Sequence, residues 1–245
     1  MIIHKFPTET IASETAQFII QQLQLHVAVR PALLLLSGGS VGRQVAPILA
    51  QLLREIPQEM VSKLTLGLVD ERFGLPWHPE SNMLVIKASG LVEVIARAGG
   101  EVVWPLQAGA TTISTAYKAY NTQITRLFSS GNGRILGVFG IGEDGHTAGI
   151  KPLPKKTFNQ LFTDLQVLVV GYQAKDYKRI TLTSTGIRQI TTAVIFATGG
   201  QKKIVLEKLA GKTDSNEHDF PAGVFRLHQN VHIFTDQQFF GKLLS

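Results

Sequence analysis

The sequence contains no cysteine at all among its 245 residues. Disulfide bonds, thiolate catalysis and cysteine-ligated zinc sites are therefore excluded. It also contains no run of about 20 unbroken apolar residues, so no transmembrane helix is predicted. The first ten residues carry a proline and an acidic residue and lack the apolar core of a signal peptide. We therefore expect a cytoplasmic protein that binds no membrane.

Charge is scarce as well, since Asp, Glu, Lys and Arg make up 17% of the residues and hydrophobic residues 44%. This composition supports a full apolar core and excludes a disordered chain. The balance is basic, with 24 Lys and Arg against 18 Asp and Glu and a net charge of +6. Nucleic-acid binding is one explanation, but the basic residues are scattered and no known nucleic-acid-binding pattern accompanies them. We therefore expect no nucleic-acid partner, and a positive field that attracts a small anionic substrate.

Apolar runs alternate with amphipathic stretches along the chain. Several runs are continuously apolar, as is typical of strands that helices cover on both faces. The predicted strands are residues 32–36, 64–69, 135–140, 166–170, 193–197 and 231–234. The predicted helices are residues 8–25, a stretch ending near Arg54, and residues 112–127, 202–209 and 236–244. This alternation predicts one α/β domain over residues 1–245, with a doubly wound, mostly parallel sheet flanked by helices.

In such sheets, ligands bind beyond the carboxyl ends of the strands, so the residues after each strand are the candidates for function. Two serines and two glycines follow the first predicted strand: Ser37, Gly38, Gly39 and Ser40. Glycines let backbone N–H groups approach an anion closely, and the following helix N-terminus adds donors. A phosphate site and a plain strand–helix turn are both open interpretations. Pro47 favours a helix that begins close to it rather than at Val41, because an interior proline costs about 3 kcal/mol.

Three charged residues, Asp70, Glu71 and Arg72, follow the second predicted strand. They open a predicted loop over residues 70–81, and loops of that length are often functional. Arg72 is able to hold a phosphate bidentately, and an internal ion pair with Glu71 is the alternative. Ser81, followed by Asn82, is predicted to be a helix N-cap.

The segment after residues 135–140 carries the strongest functional signal. Gly140, Gly142 and Gly145 let the backbone turn sharply, and Asp144 and His146 lie within that turn. An imidazole that titrates near neutrality is able to take a proton from water, and the neighbouring carboxylate is able to orient it. A purely structural histidine in a loop is the alternative.

Basic residues follow two further segments. A glycine pair precedes Lys202 and Lys203, which open a predicted helix although the helix dipole there favours anions. A bound phosphate would resolve that conflict, and an exposed lysine pair is the alternative. Lys178 and Arg179 precede a short apolar stretch and say little alone. The histidines show no convincing metal-ligand spacing, so we predict no metal.

Together these motifs resemble those of the 6-phosphogluconolactonase family. Members of that family share a modified Rossmann fold with glucosamine-6-phosphate deaminases and resemble ribose-5-phosphate isomerases. The matching segments run in order along almost the whole chain. They are residues 36–40 (LSGGS), 70–72 (DER), 81–82 (SN), 140–148 (GIGEDGHTA), 179–183 (RITLT), 198–202 (TGGQK) and 220–223 (FPAG).

The resemblance implies hydrolysis of 6-phospho-D-glucono-1,5-lactone to 6-phospho-D-gluconate, a step of the pentose phosphate pathway. It implies a small-molecule phosphorylated sugar lactone as the partner, no cofactor, and a monomer or homodimer. His146 would be the base that activates water, and Asp70 and Asp144 would shape the site. The phosphate and the sugar oxygens would be bound by a larger set: Ser37, Gly38, Gly39, Ser40, Arg72, Gly145, Arg179 and Lys202.

The chain departs from the family pattern in two places. Val41 and Gly42 stand where Thr-Pro is common, and residues 149–152 (GIKP) stand where Ser-Leu-Phe-Pro is common. An amino-sugar phosphate deaminase is one alternative, but its ring-opening chemistry uses a carboxylate that is absent between Thr147 and Phe162. A sugar-phosphate sensor without turnover is a second alternative, and a slow lactonase is compatible with the unusual loop.

Overall fold

The computed structural model of the chain describes residues 1–27, 30–74, 78, 80–106, 110–130, 133–211 and 216–238. The strands in chain order are β1 (Ile2–Lys5), β2 (Ala32–Leu36), β3 (Leu64–Leu68), β4 (Asp70–Phe73), β5 (Glu101–Val102), β6 (Arg134–Phe139), β7 (Val169–Gln173), β8 (Lys178–Leu182), β9 (Thr192–Ala197) and β10 (Val231–Thr235). The α-helices are α1 (Ile11–Val27), α2 (Ala46–Arg54), α3 (Gln58–Val61), α4 (Asn82–Ala88), α5 (Leu91–Arg97), α6 (Ile113–Ser129), α7 (Lys155–Phe162), α8 (Ser184–Arg188) and α9 (Lys203–Ala210).

In these residues, seven parallel strands form the main sheet in the order β1-β10-β9-β6-β2-β3-β5. The chain proceeds from β2 toward β5 on one side, and β6 then starts the other half beside β2. The crevice between the carboxyl ends of β2 and β6 is therefore the topological switch point, where ligands bind in sheets of this kind. The predicted doubly wound, mostly parallel sheet is confirmed.

Two apolar layers cover the main sheet. Residues of α1, α2, α4 and α5 pack on one face with alternate side chains of the central strands. Residues of α6, α7 and α9, with the smaller sheet, pack on the other face. Both faces of β2, β3 and β9 are buried, which explains why these strands contain no charged residue and, Thr65 and Thr192 apart, only apolar residues and glycine.

A tyrosine completes the edge of β3. Strand β5 pairs only with Thr65 and Leu66, so it stops short of the end of β3. The Tyr120 hydroxyl of α6 accepts a hydrogen bond from the Leu68 amide at 2.9 Å and donates one to the Leu68 carbonyl at 2.7 Å. One buried side chain thereby satisfies both backbone groups that β5 leaves without a strand partner.

The smaller sheet is antiparallel, in the order β4-β8-β7, and it corrects two predictions. Residues 70–81 do not form a loop throughout, because β4 begins one residue after β3 and pairs with β8. The strand predicted at residues 166–170 lies instead at Val169–Gln173. Its apolar run packs against α6 as part of this second sheet rather than in the middle of the parallel one.

Alternation along β4 separates its side chains into two sets. Asp70 and Arg72 face the carboxyl-end crevice, whereas the Glu71 carboxylate turns to α4 and accepts from the amides of Asn82 and Met83, each at 2.8 Å. Glu71 also accepts from the Ser81 hydroxyl. The Arg72 backbone, not its guanidinium, donates to Glu71, so the alternative ion pair is not formed.

Helix predictions are confirmed in place and corrected at their ends. The helix predicted at residues 8–25 lies at Ile11–Val27, because a turn in which the Pro7 carbonyl accepts hydrogen bonds precedes it. Thr112 caps α6, and Ser81 caps α4 as predicted. The helix predicted at 236–244 falls mostly outside the described residues, and its described part, residues 236–238, is not helical.

The expectation that Pro47 tells against a helix running from Val41 was wrong, whereas the place expected for Pro47 in the first turn of a helix is confirmed. The chain is helical without a break from residue 39 to residue 54. A π-helical stretch at Val41–Val45, in which the Ala46 amide donates to the Val41 carbonyl, precedes α2. The wider turn places Pro47 in the first turn of α2, where its missing N–H costs little. No helix in the described ranges is long and apolar enough to cross a bilayer.

Candidate active site

A cavity of about 380 Å³ lies at the switch point, which is a volume typical of small-molecule sites. Of the eleven residues to which the family resemblance gives a role, nine line it: Ser37, Gly38, Gly39, Ser40, Asp70, Arg72, His146, Arg179 and Lys202. Asp144 does not line the cavity, but its carboxylate contacts His146. Gly145 belongs to the same turn as these two residues and does not line the cavity either.

The serine and glycine segment forms one wall of the cavity. It begins where β2 ends and enters the helical stretch of residues 39–54. The first four amides of a helix have no intrahelical acceptor, so the amides at residues 38–41 are available to an anion. Gly39 has a φ of +53°, a backbone conformation that glycine adopts without strain.

Asn82 connects that wall to β4. Its side-chain amide donates to the Asp70 carbonyl at 2.9 Å, and its side-chain oxygen accepts from the Arg72 guanidinium. Arg72 also donates to the Glu80 carbonyl at 2.6 Å. A Cβ on Gly38 would overlap the Asn82 side chain, so the glycine wall and Asn82 fit together only because residue 38 has no side chain.

Two arginines face each other across the antiparallel strands β4 and β8. Arg72 is the register partner of Arg179, and like charges at such positions repel unless an anion lies between them or beside them. Arg179 is 5% exposed and donates to Asp176 at 2.7 Å, with Asp70 at 3.9 Å. The Arg179 hydrogen bond holds the pKa of Asp176 low, at about 2.

Asp70 is buried among these cations. Burial raises the pKa of its carboxyl, while Arg72, Arg179 and His146 act in the opposite direction. Its Oδ1 atom has no hydrogen-bond partner in the described part of the chain. Such a buried acceptor without a partner is uncommon in proteins and marks this carboxylate as more than a packing residue.

His146 is held by the carboxylate two residues before it. Its Nδ1 lies 2.5 Å from Asp144 Oδ1, and its backbone amide donates to the same oxygen at 3.1 Å. The hydrogen bond from His146 holds the pKa of Asp144 well below its usual range, so this carboxylate is ionised. An ionised acceptor at Nδ1 keeps the proton there and leaves Nε2 as the basic nitrogen.

The glycines of this turn fit their neighbours closely. A Cβ on Gly142 would overlap the His146 ring, and a Cβ on Gly145 would overlap the Phe220 ring. Gly145 has a φ of +82°, and its carbonyl accepts from the Ala222 amide at 2.9 Å. Gly145 therefore joins the histidine turn to the 3-10 helix Pro221–Leu227, and its predicted part in substrate binding stays a prediction.

Several lining residues were missed from the sequence. Lys151 lies against His146 with its Nζ 3.1 Å from Nδ1, and Tyr177, Asp176 and Glu80 border the cavity. Asn82 was assigned only to a helix start. The departure of residues 149–152 from the family pattern was the one signal that pointed to Lys151.

Metal ligands were also sought among the described residues. No group of three His, Asp or Glu side chains in those ranges is placed to hold a metal ion. The chemistry available to the described site is thus that of a carboxylate-held imidazole beside cations and backbone amides.

Comparison with known proteins gives consistent results. The sequence profile described as "Glucosamine-6-phosphate isomerases/6-phosphogluconolactonase" matches residues 7–234. A 6-phosphogluconolactonase of Xylella fastidiosa (strain 9a5c) is 30% identical over 231 residues, which cover 90% of each chain. One of Rhizobium meliloti (strain 1021) is 28% identical over 227 residues, covering 91% of this chain and 93% of that one. The crystal structure of a 6-phosphogluconolactonase from Shewanella baltica OS155 superposes with a TM-score of 0.75 at 23% identity, covering 98% and 97%.

Proposed function

Because the chain belongs to the family of glucosamine-6-phosphate isomerases and 6-phosphogluconolactonases, we propose that it hydrolyses 6-phospho-D-glucono-1,5-lactone to 6-phospho-D-gluconate. The observation that carries this proposal is the shared cavity. A carboxylate-held histidine lies in the same cavity as two opposed arginines and a helix N-terminus. Such a site is suited to a phosphorylated substrate with a group that water attacks.

The phosphate is bound at the wall formed by residues 37–40. The free amides at the helix N-terminus donate to its oxygens, and Arg72 and Lys202 supply charge. Lys202 precedes α9 and makes no ion pair with any described residue. A bound phosphate therefore gives a counter-ion to a lysine that otherwise opposes the helix dipole.

The sugar oxygens are recognised by the buried pair at β4 and β8. Asp70 lines the cavity beside the sugar, and Arg179 orients that carboxylate. The energy of these contacts positions the carbonyl carbon C1, which the ring oxygen, C5 and C6 separate from the phosphate ester oxygen.

His146 acts as the general base. Its Nε2 takes a proton from water while the water oxygen bonds to C1 and the carbonyl electron pair moves to oxygen. Asp144 holds the imidazolium that results. The intermediate then expels the ring oxygen, which takes the proton from His146. Because a lactone carbonyl is already electrophilic, this mechanism needs neither a metal nor a covalent intermediate.

A deaminase of the same family is the less suitable candidate. Its ring-opening step relies on a carboxylate after the histidine, and residues 147–162 contain neither Asp nor Glu. The described cavity offers Asp70, Asp176 and Glu80 instead, and the first two are bound to Arg179.

Turnover of the purified chain tests the proposal. We expect hydrolysis of the 6-phosphorylated lactone well above the spontaneous rate, unchanged by exhaustive EDTA treatment, with competitive inhibition by inorganic phosphate. Unphosphorylated glucono-1,5-lactone is expected to have a much lower kcat/KM, because it lacks the anchor. Equal kcat/KM for the two lactones would contradict the phosphate site, and absence of turnover would contradict the proposed function.

A further inference from the structure

Several backbone amides around His146 already have acceptors within the protein. The Gly142 amide donates to the His146 carbonyl at 2.8 Å, and the Gly145 amide donates to the Gly142 carbonyl at 2.9 Å. The Gly149 amide donates to the Thr181 hydroxyl at 2.9 Å, and the Ile150 amide donates to a carbonyl of the same loop. These amides are the first candidates for an oxyanion hole in a glycine-rich turn, yet their hydrogen bonds shape the turn itself.

A lysine lies beside the base instead. The Lys151 Nζ is 3.1 Å from His146 Nδ1 and 3.5 Å from Asp144 Oδ2, and Lys151 lines the cavity. Nδ1 cannot accept from the ammonium while its own proton is on the side of Asp144. The Asp144 contact is long for a hydrogen bond, so Lys151 keeps donors for a ligand oxygen.

The loop that carries Lys151 is firmly placed. The Tyr172 hydroxyl donates to the Gly149 carbonyl at 2.7 Å. A Cβ on Gly149 would lie 2.8 Å from the Thr181 Cβ and 3.3 Å from the Asp70 Cβ, so only glycine lets the loop lie this close to β4 and β8. The side chain of Lys151 is 24% exposed and is directed to the base by this backbone.

We propose that Lys151 is a catalytic residue that stabilises the oxyanion formed when water adds to the lactone carbonyl. This inference rests on the proposed function. As the water oxygen bonds to C1, its proton passes to His146 and the C1=O electron pair becomes an alkoxide, which accepts from the Lys151 ammonium. When the C1–ring oxygen bond breaks, the electron pair returns to C1=O and the ring oxygen takes the proton from His146.

The same geometry makes this contribution specific to the transition state. In the free protein Lys151 is shared with Asp144. Once His146 carries a proton, its ring and the ammonium repel each other at 3.1 Å and compete for the single carboxylate of Asp144, so the new oxyanion supplies the second negative charge. A contact that strengthens as the reaction proceeds raises kcat rather than substrate affinity.

Lys151→Gln tests this role, and Lys156→Gln is the matched control. Lys156 is exposed on α7, so its substitution removes the same charge a few residues away from Lys151. We expect Lys151→Gln to lower kcat by about 10²–10³-fold, the usual effect of losing one oxyanion donor. The loss should be equal on the phosphorylated and unphosphorylated lactones, and inhibition by inorganic phosphate should be unchanged. The control should retain wild-type kinetics.

Other outcomes overturn the inference. A raised KM confined to the phosphorylated lactone would make Lys151 a phosphate anchor, and unchanged kcat on both lactones would leave it no catalytic role. Lys151→Arg, which keeps a cation at the same place, is expected to retain kcat within about tenfold, so a variant as slow as Lys151→Gln also contradicts the role. Turnover in the control separates these results from a failure of the proposed function itself.

Discussion

At the scale of single residues, the two nitrogens of one imidazole have different tasks. His146 Nδ1 lies against the ionised Asp144, which leaves Nε2 as the basic nitrogen. The orientation depends on a carboxylate two residues away in the same turn, so base and orienting group are placed together when the turn forms. The local fold of this turn thus decides which nitrogen of His146 is basic.

His146→Asn removes the base while keeping a polar side chain of similar reach. We expect kcat to fall by on the order of 10²–10⁴-fold, the usual contribution of general acid–base catalysis. The phosphate inhibition constant and the thermal unfolding midpoint should change little. Because a protonated imidazole cannot act as a base, wild-type kcat should fall on acidification. A folded variant with near wild-type turnover above the spontaneous rate would refute the assignment.

Tyr120→Phe probes a single hydroxyl in the core. The change leaves the Leu68 amide and carbonyl without their partner, and each buried unpaired polar group costs about 1–3 kcal/mol. We expect urea denaturation to show a loss of unfolding free energy in that range. Tyr117→Phe, one turn earlier on α6, is the control, since its hydroxyl makes no hydrogen bond with the described residues. Equal stability of the two variants would contradict this role.

At the scale of elements, predictability follows burial. Strand β2 was predicted to the residue, because both of its faces are covered and its sequence is continuously apolar. Strand β4 was missed, because Asp70, Glu71 and Arg72 do not form a strand pattern and only pairing with β8 makes them one. The site follows the same rule, since motifs after strands were predictable and the convergence of Asn82 and Lys151 on them was not. Those two side chains reach the cavity through tertiary packing.

Gly38→Ala tests the fit between the glycine wall and α4. The new Cβ would overlap the Asn82 side chain, which binds Arg72, so the phosphate wall has to open. We expect KM and the phosphate inhibition constant to rise about tenfold or more, as one charge-assisted contact is weakened. Gly74→Ala is the control, because a Cβ there meets open space. Unchanged phosphate inhibition in Gly38→Ala would contradict the part given to Asn82.

At the scale of the whole molecule, a histidine pair connects β1 to β10 away from the cavity. His4 Nε2 lies 2.9 Å from His232 Nδ1, and His232 Nε2 lies 2.9 Å from the side-chain oxygen of Asn230. Burial, then His4, the N-terminus and Arg134, lower the pKa of His232 to about 4. One proton arrangement satisfies this chain when both rings are neutral, and protonation disrupts it.

Stability should therefore depend on pH. Between about pH 6.5 and pH 4 the unfolded chain binds the His232 proton and the folded chain does not, so unfolding becomes easier as the pH falls through that window. The ring is only partly buried, and solvent screening reduces the expected effect to on the order of 1 kcal/mol. His232→Gln should show a smaller loss of stability on acidification than wild type in urea denaturation. His78→Gln, at an exposed histidine, is the control. If the unfolding free energy fell equally with pH in wild type and in both variants, the link between His232 protonation and stability would be refuted.

The passage from β3 into β4 has a consequence for how such a chain is able to evolve. Only Val69 separates the two strands, so the count of residues after Leu68 decides which side chains face the cavity. A one-residue insertion or deletion there would exchange the two faces of β4. Glu71 would then face the cavity, and Arg72 would point away from it. Substitutions at Val69 are tolerable as long as they stay apolar, whereas a change of length inverts the site at once. The number of residues between β3 and β4 therefore decides which side chains of β4 reach the cavity.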